Sequence, residues 1–171
     1  MALSIKIQGI AGGAMRILAI DPGTEKSAFV ILDSCKQEIL SKGIFPNADI
    51  LNFIRHPHDL EIDRLCVEMI ASYGMPVGKE IFETCLFIGQ IKEVWRWIYP
   101  NNVTYLIYRK DIKLHFCQSA RAKDSNLRQA LIDRFGIPGT KKSPGKLYGI
   151  KADEWSALAL AVYFQEAIRE T

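Results

Sequence analysis

The sequence predicts an α/β fold: a mixed five-stranded sheet, built from a three-strand antiparallel meander plus parallel strands, and flanked by helices. Three observations predict it. Short apolar runs rich in Ile, Val, Leu or Phe recur at 17–20, 28–32, 38–45, 64–69 and 103–108, each bounded by turn residues. The first three follow one another across short turns, as a meander does. The fourth and fifth are separated by a long helical pattern, and more helices follow the fifth, so helices must cover both sheet faces. With 171 residues, 49% hydrophobic and 24% charged, the chain fits one ordinary domain and excludes global disorder. No apolar run approaches the ~20 residues of a membrane-spanning helix.

Residues 1–14 read as an N-terminal extension ahead of a single domain at 15–171. "LSIKIQGI" alternates and then dissolves into "AGGA", which leaves an edge strand, an upstream start and a cloning remnant all open. The segment carries one charge, Lys6, and no secretory pattern, so a cytoplasmic location is expected. Strand 17–20 ends in Asp21 and a Pro-Gly turn. That turn chemistry suits a hairpin, yet it also leaves a carboxylate at the mouth of a buried strand. "NADILNFIRH" at 47–56 predicts a helix with Asn47 as its N-cap. Strand 64–69, "RLCVEM", is interrupted only by Glu68.

The helix at 79–99 carries two apolar stripes. One is Phe82, Leu86, Ile91, Val94 and Ile98; the other is Ile81, Cys85, Ile88 and Trp95. Two stripes predict burial on two sides, between a sheet and something else, for which a partner subunit is one candidate. Helices are expected at 110–117 and 123–135, the latter stopped by Gly136 and Pro138. A flexible basic loop, "GTKKSPGKLYG", leads to a last helix at 152–169. The cysteines, Cys35, Cys66, Cys85 and Cys117, form no Cys-x-x-Cys pair, which disfavours zinc; three of them lie in apolar patterns and read as buried thiols.

Net charge is only +3, but residues 109–151 hold eleven Lys or Arg against three Asp. That segment is +8 and the remainder −5, which suggests a polyanionic partner on one side; a solvated helical face is the plainer alternative. Two strands each carry one misplaced acid, Asp21 and Glu68. If the first strand neighbours the fourth, those acids are adjacent. In "KADEWSALALAV", Asp153 and Ser156 share one helical face while Glu154 points about 100° away. An acid at a helix N-terminus is favourable from the dipole alone. Three converging acids, however, raise one another's pKa unless cations intervene. Hard oxygen donors without histidine favour Mg2+ or Mn2+ over Zn2+. Two such ions about 4 Å apart suit phosphodiester hydrolysis.

"ILAIDPGT", "LCVEM" followed by a long helix, and "KADEWSALALAV" resemble the three acidic motifs of RuvC-type Holliday junction resolvases, within the RNase H-like nucleases. The resemblance runs from Met15 to Glu166, and "SARAKDSNLRQALIDRFG" looks most like the compact versions carried by phages and prophages. It implies an RNase H-like fold and a homodimer, formed through helix 79–99, that binds a four-way or branched DNA. It implies paired symmetric nicks with Mg2+ (Mn2+ substituting), two ions per site, and 5′-phosphate and 3′-hydroxyl ends, with no small-molecule cofactor. Asp21, Glu68 and Asp153 match the metal ligands, with Glu154 or Ser156 as a further candidate. Lys113 and Lys123 match the basic residues at the scissile backbone. Around them, Tyr73, Lys79, Arg109, Lys110, Arg121, Lys141, Lys142 and Lys146 are the expected DNA contacts.

The third motif departs from the family. Bacterial members carry two acids, or His and Asp, three residues apart on the last helix, where this chain has Asp153 and Ser156; the serine weakens one metal site or calls on Glu154. Ala71 falls near the position of a junction-wedging aromatic, with Tyr73 the nearest ring, so broader branched-DNA activity is also expected. Three rivals stand beside this reading. An actin-like ATP-binding fold shares the Asp-x-Gly-Thr turn but needs a second phosphate loop. A DNA-binding module could have lost its cut. A nuclease could act on RNA or RNA–DNA hybrids.

Overall fold

In the computed structural model the described residues are 15–56, 60–72 and 74–169; the alternating segment at 1–14 and Tyr73 lie outside them. The strands are β1 (Arg16–Asp21), β2 (Lys26–Asp33), β3 (Glu38–Pro46), β4 (Arg64–Met69) and β5 (Thr104–Tyr108). The helices are α1 (Asn47–Arg55), α2 (Lys79–Ile98), α3 (Arg109–Cys117), α4 (Asp124–Phe135) and α5 (Glu154–Arg169). The sheet order is β3-β2-β1-β4-β5. β1, β2 and β3 form the antiparallel meander, and β1, β4 and β5 run parallel. The fold is the mixed, helix-flanked sheet that the sequence predicts, and β1 does neighbour β4.

Side-chain alternation along the central strands splits the core into two layers. Ile17, Ala19 and Cys66 pack with α5, and Leu18, Ile20, Leu65 and Val67 pack with α1 and α2. The run Ala157–Val162 of α5 is buried throughout. Its three alanines let the helix lie close on the sheet, and Leu158, Leu160 and Val162 each bury a side chain for about 1.5–3 kcal/mol. By the same alternation Asp21 and Glu68 fall on the α5 face, since each lies two residues beyond a residue of that layer.

Four expectations are corrected. The core face of α2 is Thr84, Phe87, Ile88, Ile91 and Trp95. Ile88 and Trp95, expected to face a partner, are therefore core residues. At 100° per residue, positions 84, 88, 91 and 95 fall within one narrow sector, and Phe82 and Leu86 fall opposite. Those two are 60% and 71% exposed. Second, Asn47 is the first helical residue of α1 rather than its cap, and the cap position is Pro46. Third, α5 begins at Glu154, so Asp153 precedes the helix. Fourth, of the cysteines only Cys66 is fully buried, and Cys35 is exposed. The basic loop is also drawn into a tight turn, with Thr140 and Ser143 exchanging backbone hydrogen bonds.

Candidate functional site

The site lies where β1 and β4 end together. The register pairs Ile20 with Val67, which sets Asp21 beside Glu68 on the adjacent parallel strand. The chain leaves β1 through Asp21-Pro22-Gly23-Thr24, and this turn is held from below by Asn47. The Asn47 side-chain amide donates to the carbonyls of Gly23 (2.9 Å) and Thr24 (3.0 Å), and its oxygen accepts from the Ser27 hydroxyl at 2.7 Å. Ser27 in turn accepts from the Gly23 N–H. A methyl group at Gly23 would collide with the Lys26 carbonyl oxygen. The turn that reads as hairpin chemistry thus also fixes a carboxylate. We expect Gly23→Ala and Asn47→Ala each to cost about 1–3 kcal/mol in urea denaturation. Each should also loosen the placement of Asp21.

Asp21 and Glu68 are costly neighbours. Burial and the adjacent Glu68 raise the Asp21 pKa to about 7, with Asp153 adding to the rise. Arg109 and a hydrogen bond with Ser156 oppose it. Burial also raises Glu68, against the pull of Arg109. Arg109, the first residue of α3, is the counter-charge: it lies 3.0 Å from Glu68 Oε2 and also 3.0 Å from Asp124 Oδ1. Lys113, one turn further along α3, lies 3.0 Å from the same Asp124 oxygen. Burial would raise Asp124, but its hydrogen bonds to Lys113 and Arg109 hold it below the usual carboxylate range. Cations of α3 thus bridge the strand carboxylate to the start of α4.

At the start of α5, Ser156 is buried and Asp153 is exposed. Asp153 is close enough to act on the Asp21 charge, and its carbonyl accepts the N–H groups of Ser156 and Ala157. Glu154 is turned away. It is 2% exposed, accepts from the Lys151 N–H at 2.9 Å, and stands 3.4 Å from Lys42 Nζ on β3. Glu154, expected as a further ligand, is instead paired with Lys42 and the Lys151 N–H.

Among the described residues no three His, Cys, Asp or Glu side chains form a ready-made metal cage. Asp21, Glu68 and Asp153, expected to meet on shared ions, lie near enough for Glu68 and Asp153 to act on the Asp21 charge. The chemistry of the donor set nonetheless fits a hard divalent cation. A buried carboxylate, Glu68, and a partly buried one, Asp21, repel each other; their donors are oxygens without imidazole or thiolate, and Ser156 adds a hydroxyl.

The expected DNA contacts divide. Arg109 and Lys113 belong to the site but are bound to acids. Lys110, Arg121, Lys123, Lys141 and Lys142 are exposed, and Lys110 also stands over the Tyr108 ring. Lys79 pairs with Glu83 at 3.1 Å on α2. Lys146 is not with the carboxylates: it borders a hollow with Glu166, which lies about 18 Å along α5 from Glu154. Two participants escaped the sequence reading. Asp124 looked like an ordinary acid in a first helical turn, and Lys42 gave no local sign of pairing with a residue 112 positions away.

Neither a family model nor a curated protein matches the sequence. Solved structures do match. The Thermus thermophilus RuvC structure superposes with a TM-score of 0.62 at 14% identity, covering 92% of this chain and 98% of that one. T. thermophilus RuvC in complex with Holliday junction substrate gives 0.65 at 14% identity, with 92% and 97% covered. Likeness at this identity shows a shared RuvC-like, RNase H-like fold.

Proposed function

We propose that this protein is a divalent-metal-dependent, structure-selective DNA endonuclease that resolves four-way junctions by paired nicks, of the compact form suggested by residues 119–136. The observation that carries this reading is the placement of Asp21 and Glu68 side by side at the ends of two parallel central strands, with Asp153 and Ser156 at the head of α5. That placement occurs on a fold shared with a protein solved on a Holliday junction. Bound Mg2+ or Mn2+ would supply a Lewis acid for the attacking water and the leaving oxygen. Asp21 and Glu68 would hold it, with Asp153 beside them. Ser156 orients the Asp21 carboxylate. Arg109 neutralises Glu68, and Lys113 and Lys123 would contact the phosphate backbone.

The partner surface in this reading is the exposed Phe82–Leu86 strip of α2, one helical turn long, with exposed Met75 and Val77 preceding the helix. Phe82→Glu or Leu86→Glu should convert a dimer into monomers by sedimentation while leaving the fold intact. Ile88→Glu should instead unfold the chain, because Ile88 is 3% exposed.

A second reading has support in two features, the Arg109–Glu68 ion pair and Ser156 in place of an acid: a junction-binding module without cleavage. A nicking assay on a synthetic four-way junction with Mg2+, Mn2+ and Ca2+, beside linear duplex, fork and RNA–DNA hybrid, separates them. The nuclease reading predicts nicks in the junction with Mg2+ or Mn2+ and none in linear duplex. Tight junction binding without nicks in any metal would establish the module instead.

A further inference from the structure

A cleft of about 550 Å³ opens between the first turns of α4 and α5, directly beside the carboxylates. It shares Asp153 and Ser156 with the candidate metal centre, and Arg109 with the Glu68 ion pair. Its remaining walls carry Arg128, Lys151 and Trp155. The Arg128 guanidinium lies 4.6 Å over the Trp155 indole. Arg128 forms no ion pair with a described residue, and its contact is with the indole. The proposed hydrolysis uses neither residue. Phosphodiester chemistry needs carboxylates and cations, and an indole under a planar cation adds nothing to it. Such a pair is, however, a stacking surface for a nucleobase, because guanidinium and aromatic planes both stack on bases. The volume falls within the range of about 300–1,000 Å³ typical of small-ligand sites. A single nucleotide is a ligand of that size class.

We propose that this cleft seats one unpaired nucleotide of the branched DNA, adjoining the phosphate that is cut, with its base on the Arg128–Trp155 pair and Lys151 at its backbone. This rests on the nuclease reading above and extends it to substrate selection. A base is free to enter only where pairing is already interrupted, so the cleft admits branch points and rejects continuous duplex at little unstacking cost. Arg128 and Trp155 are positioning residues in this scheme.

The experiment is an abasic scan. Synthetic four-way junctions, each lacking one base near the nick, are bound in Ca2+ by the full chain, by Arg128→Ala and by Arg128→Lys. The native protein should lose about tenfold in affinity at one flanking position. Arg128→Ala should bind that junction and the intact one equally. Arg128→Lys, which keeps the charge and loses the plane, should also bind both alike, holding the intact junction about as weakly as the native protein holds the abasic one. Arg128 is exposed, so neither variant threatens folding. Equal abasic sensitivity in native protein and both variants would overturn the proposal and leave Arg128 as a brace between α4 and α5. If the native protein binds and nicks junctions without any Arg128-dependent position, only this inference falls. If it binds no branched DNA, both readings fall.

Discussion

Asp21→Asn and Glu68→Gln will each reduce junction nicking by about 10³-fold or more, while junction affinity measured in Ca2+ stays within about threefold. The size follows from the several kcal/mol of transition-state stabilisation that a correctly held metal supplies. The split between rate and affinity follows from the site's charge. Asp21 and Glu68 are partly or wholly buried acids that repel a phosphate backbone, so removing either takes nothing from DNA attraction. Stability should move in the opposite direction. Burial and Glu68 disfavour the Asp21 charge, so a neutral isostere relieves the native state. Metal-free Asp21→Asn should be more stable than the native protein at pH 8, by ~2–4 kcal/mol. A variant that loses activity because it unfolds would show the reverse.

The pH dependence of the metal-free protein is the second large effect. Asp21 titrates near 7 in the folded chain and near 3.8 when exposed. Between those values the folded state binds the extra proton, so stability is greatest at the acid end of the window and falls as pH rises through 7. The slope contributed by this group is at most about 1.4 kcal/mol per pH unit. Glu68 adds in the same direction, since its pKa is also raised. Mg2+ or Mn2+ should reverse the trend. It binds the ionised pair, so it should raise the melting temperature more at pH 8 than at pH 5, where the proton competes. Thermal melts at the two pH values, with and without metal, check this. Equal metal-induced shifts at both would contradict it.

Much of this arrangement could be read along the chain, because the governing rules are local. Period-two alternation puts Asp21 on the face of Ile17 and Ala19, and Glu68 on the face of Cys66. The parallel register of β1 and β4, which pairs Ile20 with Val67, makes these one face and brings the two acids together. What failed was information that only tertiary packing holds. Asn47 has the chemistry of a helix cap, but the structure uses its amide to tie down the turn after Asp21. The apolar positions of α2 cover nearly every direction, so periodicity could not say whether Ile88 or Leu86 meets the core. Glu154 and Lys42 meet across 112 residues, a pairing no spacing rule anticipates. The charge excess at 109–151 pointed to an anionic partner. It hid the fact that Arg109 and Lys113 first serve Glu68 and Asp124.

Direct titration with Mn2+, followed through the electron paramagnetic resonance of the free ion, tests the metal centre without reference to any nucleic acid. The account predicts saturable binding by the native chain that is lost in both Asp21→Asn and Glu68→Gln. Binding that persists unchanged in either variant would place the ion elsewhere and remove these two carboxylates from the chemistry.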